Sequence, residues 1–380
     1  MKIAIFGGAF NPVHCEHINI AKAAIKELKL DRLIVMPSAI SPHKSGDLIA
    51  DGRDRLEMCR LAFAEVDGAE VSDYEVVKGD VSYSYLTCEY YKEKYPDAEL
   101  YWLIGADMLN NFPKWKNPRE ILSCVTLAAC ARENKEEYKK YKKAVESEFG
   151  TRVKKVAYVG DSVSSTHIRA LAALGEDIAG YVTPVVCQYI NKRQLYALKS
   201  IGKVKEFLKP KRWLHTVRVA EMCAKYKEFA SLTEEQAITM GALHDVAKYL
   251  TLDSPYLKGF TLPEGVPEPV IHQFAGAYVA ENYFGVKDEI ILNAIRYHTS
   301  ARPGMTKADT LLYLCDMLEE GRNFEGVDML RKLFKEDMDR CLYVALKQQV
   351  EYLYSTGKPV YELTEKAYEY LALKNTEGNR

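Results

Sequence analysis

The sequence lacks long apolar runs, paired cysteines and an excess of either charge. No stretch approaches the roughly 18 consecutive apolar residues that a membrane-spanning helix needs, so we expect no membrane partner. The nine cysteines include no Cys-x-x-Cys pair, which predicts reduced thiols and a cytoplasmic location. The 52 basic residues nearly balance the 53 acidic ones, for a formal net charge of −1. This balance indicates no nucleic-acid partner and no attraction to a membrane surface.

The first half of the chain alternates short apolar runs with amphipathic stretches. The predicted strands are at 2–6, 33–36, 100–104, 125–130 and 154–159. The predicted helices are at 17–28, 53–65, 84–94, 133–148 and 165–174. Continuous apolar strands between amphipathic helices predict an α/β fold, a doubly wound, Rossmann-like parallel sheet with both faces covered.

The second half has no strand-like runs and keeps only long amphipathic segments. They are predicted at 211–229, 234–249, 269–284, 288–297, 308–319 and 334–354. This half is therefore predicted to be an all-α helical domain, with a frayed polar tail at 374–380. Since 380 residues exceed the usual size of one domain, we expect two domains, at 1–197 and 198–380.

A glycine-rich turn and two histidines follow the first predicted strand. Gly7 and Gly8 let the backbone come close to a ligand, and the helix start behind them offers N–H groups to phosphate. His14 and His17 are one helical turn apart, so both can face the same anion and stabilise charge on a transferring group. The alternatives are a plain glycine turn with unrelated histidines, or a zinc-binding pair.

A second segment near residue 165 also follows a strand and begins a helix. The hydroxyls of Ser164, Ser165 and Thr166 can cap that helix and bind phosphate. Arg169, one turn further along, can reach the same anion with two hydrogen bonds. The alternative is an ordinary Ser/Thr cap with a surface arginine.

Residues 1–195 resemble the nucleotidyltransferases with a His-x-Gly-His signature, specifically the bacterial nicotinate-mononucleotide adenylyltransferases. The resemblance rests on the segments GGAFNPVHCEH at 7–17, SPHK at 41–44, IGADM at 104–108, PKW at 113–115 and SSTHIR at 164–169. It implies that AMP is transferred from ATP, bound with Mg²⁺, to nicotinate mononucleotide, giving deamido-NAD and pyrophosphate. The alternatives are nicotinamide mononucleotide or a pantetheine phosphate as the acceptor.

The same resemblance implies roles for single residues. It implies that the ATP phosphates are bound by His14, His17, Lys44 and Arg169, and that ATP also contacts the glycine turn and helix start formed by Gly7, Gly8, Ser164, Ser165 and Thr166. It implies that the adenosine ribose contacts Gly105 and Asp107, the pyridine ring contacts Trp115, and the pyridine carboxylate contacts Tyr83 and Ser84. Glu16 departs from the family, which has glycine there. Because adjacent helix residues point about 100° apart, Glu16 need not face the phosphates, and we expect an active site; a Glu16 that faced inward would repel ATP.

Histidines and aspartates of the second half lie among apolar residues on separate predicted helices. They are His215, the doublet His244-Asp245, His272, His298 and Asp316. A single helical histidine is more often ordinary core or surface, but this ordered series indicates a site. Imidazoles and carboxylates from several helices are how helical domains bind metals, and N and O donors favour Fe, Mn, Co or Zn.

This half resembles the HD superfamily of metal-dependent phosphohydrolases, and within it the bacterial symmetrical diadenosine-tetraphosphate hydrolases. The resemblance implies one metal, usually iron, on His215, His244, Asp245 and Asp316, and a second on Asp245, His272 and His298. It also implies substrate contacts, the partner being a dinucleoside polyphosphate, at Lys248, Thr299, Arg302 and Arg322. The family often has His-Gly-Pro where this chain has His272-Gln273-Phe274. A nucleotide- or metal-sensing module without turnover is the alternative, and a homo-oligomer stays open.

Overall fold

The structure is a computed structural model that divides the chain into two compact units. Unit 1 comprises Met1–Arg169 and Asp177–Tyr196, and unit 2 comprises Ala170–Glu176 and Ala197–Arg380. The residues that it describes are 1–39, 48–130, 135–158, 160 and 163–377. The short segment Ala170–Glu176 belongs to unit 2, which the sequence pattern does not indicate.

Within the described residues, unit 1 contains one parallel sheet of six strands. They are β1 (Lys2–Gly8), β2 (Arg32–Pro37), β3 (Ala69–Val71), β4 (Glu99–Gly105), β5 (Thr126–Cys130) and β6 (Lys154–Val156). Their order across the sheet is β3-β2-β1-β4-β5-β6, and every pairing is parallel. Ile3 and Ala4 of β1 point to opposite faces and are both fully buried, as expected for a strand covered on both faces. The predicted doubly wound α/β fold is confirmed.

Helices cover both faces of this sheet. They are α1 (Cys15–Leu28), α2 (Gly52–Phe63), α3 (Tyr74–Lys78), α4 (Ser84–Lys94), α5 (Ala106–Asn111), α6 (Pro118–Cys124), α7 (Lys135–Phe149), α8 (Ser165–Ala173) and α9 (Pro184–Arg193). Amphipathic α1 buries Ile18, Ala21 and Leu28 against the sheet, and its C-cap Lys29 adopts the left-handed conformation that ends a helix.

The strand order reverses direction at the centre of the sheet, and this reversal positions the first site. From β1 the chain proceeds outward through β2 to β3 and then returns to β4, which pairs with the other side of β1. Connections that leave in opposite directions open a crevice beyond the carboxyl ends of the two central strands. Gly8 ends β1 and Gly105 ends β4, so both glycines lie at this crevice.

The described residues of unit 2 contain helices and no strand, which confirms the all-α prediction. The helices are α10 (Pro210–Lys225), α11 (Glu234–Leu243), α12 (Ile271–Asn282), α13 (Glu289–Tyr297), α14 (Lys307–Leu318), α15 (Val327–Glu336), α16 (Met338–Ser355) and α17 (Glu362–Glu377). The single helix predicted at 334–354 is wrong, because Asp337 leaves the helical conformation and caps α16 by accepting from the Arg340 N–H at 2.9 Å. None of the described helices combines the length and the apolar character needed to cross a membrane.

Candidate active sites

A cavity of about 830 Å³ lies at the carboxyl ends of β1 and β4 in unit 1. Its wall includes Gly7, Gly8, His17, Gly105 and Ser165 among the residues expected to bind ATP, and Tyr83, Ser84 and Trp115 among those expected to bind the pyridine nucleotide. A side chain at Gly7 would put its Cβ 2.9 Å from the Trp102 ring, so only glycine lets the backbone lie flat against this part of the sheet. This volume suits a ligand of nucleotide size.

The two histidines of the glycine-rich segment stack at the start of α1. His14 is the extended N-cap residue, and its ring centroid lies 3.7 Å from that of His17. The His14 backbone N–H donates to Nδ1 of His17 at 3.2 Å. Because Nδ1 accepts this bond, a neutral His17 carries its proton on Nε2, which makes Nε2 a hydrogen-bond donor. His17 lines the cavity, whereas His14 is only 3% exposed and lies behind it.

The start of α8 is bonded to the segment that joins β1 to α1. Ser165 Oγ donates to the Pro12 carbonyl at 3.0 Å, and Arg169 donates to the Asn11 carbonyl at 2.6 Å and to Thr166 Oγ1 at 3.2 Å. Ser164 caps the helix by accepting from the His167 N–H at 3.2 Å. The guanidinium of Arg169 is thus 2% exposed and supports the cavity wall, while Ser165 reaches the cavity itself.

Aromatic and charged side chains form the other end of this cavity. Trp115 packs on the buried Phe112 with ring centroids 5.4 Å apart. Lys116 Nζ lies 4.1 Å from the centroid of the Tyr83 ring and also lines the cavity. Glu75 is a buried carboxyl in the same wall, and burial raises its pKa although the Thr87 hydroxyl donates to it at 2.6 Å. Sequence reasoning missed Lys116 and Glu75, since neither stands in a recognisable motif.

Two buried polar side chains that the sequence did not single out hold the loops at this edge. Arg55 of α2 is 3% exposed and donates to the carbonyls of Ala9, Ala39 and Ala50 at 2.7, 2.8 and 3.0 Å. Burial lowers the pKa of its guanidinium. Asn11 accepts from the Ala50 N–H at 3.0 Å. These contacts satisfy backbone groups of loops that would otherwise be left unpaired in a buried setting.

Some predicted residues of the first site lie outside what the structure describes. Lys44 lies outside the described residues, and so does the side chain of Asp107, whose backbone belongs to α5. Glu16, the departure from the family motif, is 3% exposed and does not line the cavity among the described residues. Both of its carboxylate oxygens accept from the Tyr158 hydroxyl at 2.9 Å. Glu16 therefore faces away from the cavity.

In unit 2 the six predicted ligand residues converge in one buried cluster. His215 belongs to α10, His272 to α12 and Asp316 to α14, while His244, Asp245 and His298 follow the last residues of α11 and α13. A Cβ at Gly241 would lie 2.6 Å from the Ala220 backbone, so this glycine is what allows α10 and α11 to approach closely. Two overlapping ligand groups are His215, His244 and Asp316, and His244, Asp245 and His298.

Asp245 lies at the centre of this cluster and faces both of its sides. Oδ2 lies 3.2 Å from His244 Nε2 and 3.8 Å from His215 Nε2. Oδ1 lies 3.3 Å from His272 Nε2 and 3.9 Å from His298 Nε2. A carboxylate whose two oxygens point to different sets of imidazoles has the arrangement of a ligand that bridges two cations.

The outer nitrogens of the imidazoles are held by groups around the cluster. Nδ1 of His244 contacts the Gly241 carbonyl at 2.7 Å, Nδ1 of His298 contacts the Ile295 carbonyl at 2.7 Å, and Nδ1 of His215 contacts Glu319 at 3.1 Å. Since a carbonyl only accepts, Nδ1 of His244 and Nδ1 of His298 carry the proton, and each neutral ring directs the lone pair of Nε2 into the cluster. Sequence reasoning missed Glu319, although it lies only three residues after Asp316.

A buried amide connects the two helices that carry His272 and His298. Gln273 Oε1 accepts from the backbone N–H groups of Thr299 at 3.1 Å and Ser300 at 3.0 Å. Its Nε2 donates to Ser300 Oγ at 2.8 Å. Thr299 Oγ1 in turn lies 3.2 Å from His272 Nε2. Gln273, which replaces the family's glycine, thereby fixes the loop that presents His298 and Thr299.

Charges in the cluster shift the proton affinities of its members. Burial, with a contribution from His298, lowers the pKa of His272 to about 3, and burial lowers that of His298 to about 4. Burial alone would raise the pKa of Asp245, but His244 and the other imidazoles hold it well below its usual range. Burial would likewise lower the pKa of His215, but its hydrogen bonds to Asp316 and Glu319 raise it.

Cationic side chains surround the carboxylates of the cluster. Arg212 lies 2.9 Å from Asp245, and Arg322 lies 2.6 Å from Asp316. Lys248 Nζ lies 3.2 Å from His272 Nε2, and burial lowers its pKa. Of the predicted substrate contacts, Lys248, Thr299 and Arg322 are therefore at the cluster. Arg302 is placed elsewhere: it pairs with Asp309 at 2.8 Å, inside the capping box of α14.

Two family models match the chain, Cytidylyltransferase-like over residues 5–171 and HD domain over residues 212–321. A protein of Mycoplasma genitalium named "Probable nicotinate-nucleotide adenylyltransferase/Ap4A hydrolase" is 32% identical over 358 residues, which cover 91% of this chain and 97% of that protein. The chain belongs to this family. It is an enzyme of the adenylyltransferase/hydrolase family, with a nucleotidyltransferase domain followed by an HD hydrolase domain.

Shorter proteins match one half of this family member. A protein of Clostridium tetani named "Probable nicotinate-nucleotide adenylyltransferase" is 37% identical over 197 residues, which are 51% of this chain and 98% of that protein. A solved structure from Clostridium acetobutylicum, described as a "predicted HD superfamily hydrolase involved in NAD metabolism", is 28% identical. It covers 46% of this chain and 96% of that chain, with a TM-score of 0.44.

The HD half of this family member has donors that fit a divalent metal ion. Imidazole nitrogens and carboxylate oxygens face one another at 3.0 to 3.9 Å, for example His215 Nε2 and Asp316 Oδ1 at 3.0 Å and His244 Nε2 and Asp316 Oδ1 at 3.9 Å. Without a cation, the contact of His215, whose pKa is raised, with Asp316 is a hydrogen bond, and Arg212 and Arg322 offset part of the carboxylate charge. A divalent ion would take the place of such protons, and mixed N and O donors are those preferred by transition metals.

Proposed function

We propose that residues 1–197 transfer AMP from ATP to nicotinate mononucleotide, giving deamido-NAD and pyrophosphate. The observation that carries this proposal is one cavity whose wall includes both the glycine-rich turn with its histidine and a pair of aromatic side chains. Gly8 and His17 belong to the first set, and Tyr83 and Trp115 belong to the second. Indole stacks well on a flat, electron-poor pyridine ring, whereas a pantetheine phosphate has no ring to stack there. The name of the Mycoplasma genitalium relative supports the same activity.

The chemistry of this step needs positioning and charge stabilisation. A phosphate oxygen of the mononucleotide attacks the α-phosphorus of ATP, a P–O bond forms, and the bond to the leaving pyrophosphate breaks. His17 Nε2, a donor because Nδ1 is engaged, binds the charge that develops on the transferred group. Arg169 and Ser165 keep the segment at 11–12 in place for this contact. Bound with ATP, Mg²⁺ would neutralise part of the phosphate charge.

We propose that residues 198–380 hydrolyse diadenosine tetraphosphate (Ap4A), so that one Ap4A and one water molecule give two molecules of ADP. His215, His244, Asp245 and Asp316 would hold one metal ion, and Asp245, His272 and His298 would hold a second. Iron is the proposed metal, although the donor set also suits Mn, Co or Zn. When bound, such ions activate a water and polarise the phosphate under attack.

Side chains of the domain contribute substrate contacts around the proposed metal ions. Arg322, which contacts Asp316, and Lys248, which contacts His272, would bind the phosphate oxygens flanking the attacked phosphorus. Glu319 holds His215 in the orientation that its contact with Asp316 requires. Complete burial of His244 and His298 keeps bulk water away from the donors. These features favour turnover over a sensing module, which needs no such array of cations beside the ligands.

Paired activity assays on the full chain test both proposals. Nicotinate mononucleotide with ATP and Mg²⁺ should yield deamido-NAD, and Ap4A with Fe²⁺ or Mn²⁺ should yield ADP, both measured by chromatography. His17→Ala should abolish the first activity and spare the second, and Asp245→Ala should do the reverse. Transfer to a pantetheine phosphate but to no pyridine nucleotide would contradict the first proposal. Metal-loaded protein that cleaves no nucleotide would contradict the second.

A further inference from the structure

A cleft of about 630 Å³ lies beside the metal-ligand cluster in unit 2. Its wall includes His215, Glu319 and Arg322, so it opens directly onto the donors described above. It extends away from them past Lys211, Arg218, Tyr249 and Phe324. This outer part, which we call the outer cleft and define by those four residues, has no part in binding the metal ions or the phosphate that is attacked.

The charge of the whole cleft favours a polyphosphate. Its described cationic side chains are Lys211, Arg212, Arg218 and Arg322, against the single carboxylate of Glu319. Arg212 and Arg322 pair with Asp245 and Asp316, so Lys211 and Arg218 are the cations of the cleft that lie beyond the ligand cluster. Arg218 contacts Glu320 at 3.1 Å and the buried Glu319 at 4.0 Å; the Glu320 side chain is 79% exposed, so water screens the shorter pair and an anion can compete for it. Two cations beyond the cluster match a chain of phosphates better than the two phosphates of an ordinary dinucleotide.

Two aromatic side chains of the outer cleft are unusually accessible. Tyr249 is 43% exposed and Phe324 is 39% exposed, and both line the cleft. Lys209 Nζ lies 4.5 Å from the Tyr249 ring centroid, which holds that ring in place by a cation–π contact. Exposed aromatic faces beside a cationic wall are the combination by which proteins bind a nucleobase and its phosphates without sequence preference.

We propose that the outer cleft is the subsite for the distant nucleotide of a dinucleoside polyphosphate. The inference rests on the proposed hydrolase function and specifies how its substrate is chosen. Lys211 and Arg218 bind the phosphates beyond the one that is attacked, and Tyr249 and Phe324 stack against the distant base. Deamido-NAD, with two phosphates, spans too little of this wall, so the hydrolase domain spares the dinucleotide that the transferase domain is proposed to make.

Separate variants of the aromatic and cationic residues test this subsite. The readouts are kcat and KM for Ap4A and the inhibition constant of inorganic tripolyphosphate, a competitor with charge but no base. Phe324→Ala and Tyr249→Ala should each raise the KM for Ap4A about 5- to 150-fold, the range that loss of one stacking contact gives. The inhibition constant of tripolyphosphate, kcat for Ap4A and the number of metal ions bound per chain should each change less than about twofold. Arg218→Gln should weaken both Ap4A and tripolyphosphate and reduce the salt dependence of both.

Tyr352→Ala is the matched control, because Tyr352 is 57% exposed on α16 and does not line the cleft. It should leave every constant unchanged. Equal KM values for Ap4A in wild type and both aromatic variants would overturn the subsite while leaving the hydrolase intact. Hydrolysis of deamido-NAD as fast as Ap4A would overturn the selection by phosphate number. A wild-type protein that cleaves no dinucleoside polyphosphate would overturn the proposed hydrolase and the subsite together.

Discussion

Replacing Gln273 should damage unit 2 both in stability and in metal binding. Gln273→Leu keeps the approximate volume but removes the acceptor shared by the backbone N–H groups of Thr299 and Ser300. A buried group left without its partner costs about 1–3 kcal/mol, so two of them predict a loss of roughly 2–5 kcal/mol in the free energy of unfolding. For a domain of this size that corresponds to a fall of roughly 4–20 °C in melting temperature. The loop that carries His298 should then lose its fixed position.

Gln273→Glu is the informative companion, because a protonated carboxyl offers the same acceptor and one donor. Burial favours the protonated form, so this variant should lose less stability than the leucine variant, and less at pH 5.5 than at pH 8. Thermal unfolding of both variants, with and without Mn²⁺, and the number of metal ions bound per chain check these expectations. The leucine variant should bind fewer ions, since His272 and His298 share one proposed position. Unchanged melting temperature and unchanged metal content in that variant would refute the reasoning.

Three further predictions concern other residues described above. Lys116→Met should lower the ratio of kcat/KM for nicotinate over nicotinamide mononucleotide about 3- to 30-fold, because Lys116 Nζ lies 4.1 Å from the ring centroid of Tyr83, which is expected at the pyridine carboxylate; an unchanged ratio contradicts this. Glu16→Gly restores the family motif but removes the hydrogen bonds that Glu16 accepts from Tyr158 and Asn19, so calorimetry should show a loss of about 1–3 kcal/mol with adenylyl transfer retained, and an unchanged free energy of unfolding would contradict this. The pKa values of His272 and His298 are low in the folded chain. Below the unfolded-state histidine pKa of about 6.5, the unfolded chain therefore binds more protons than the folded chain. Metal-free unit 2 should therefore lose stability as pH falls from about 6.5 towards 4, even though the pKa of His215 is shifted upward. Melting temperatures that increase as pH falls over this window would contradict the prediction.

The sequence predicted the central strands of the fold because their apolar runs are continuous. It missed β3, where Ala69–Val71 is a three-residue edge strand with an exposed glutamate in the middle. So short an element is recognised by its pairing with β2, and not by any pattern of its own. The break at Asp337 was missed for a related reason. Apolar periodicity continues across it, and only the capping geometry separates α15 from α16.

For the candidate sites, the sequence showed which residue types could bind a ligand, but not which groups surround each residue in the fold. A His-Asp series is costly to bury without a partner, so its presence in apolar helices already indicated a site. Five of the six predicted metal ligands form the two overlapping donor groups, and the sixth, His272, lies 3.3 Å from Asp245. Arg55 gave no such signal, since an arginine in an amphipathic helix resembles a solvated surface residue. Arg302 illustrates the opposite difficulty. It was expected to bind phosphate, yet the structure pairs it with the buried Asp309, a contact between residues seven apart that spacing alone does not reveal.

His244 and His298 each directly follow the last residue of a helix, and Nδ1 of each ring contacts the carbonyl three residues earlier. The direction of each imidazole is thus set by the rotational phase at which its helix stops. One residue added within α11 or α13 would turn the ring by about 100° and shift it by about 1.5 Å along the axis. Substitutions at exposed positions of these two helices leave this direction unchanged, whereas an insertion or deletion within either helix does not.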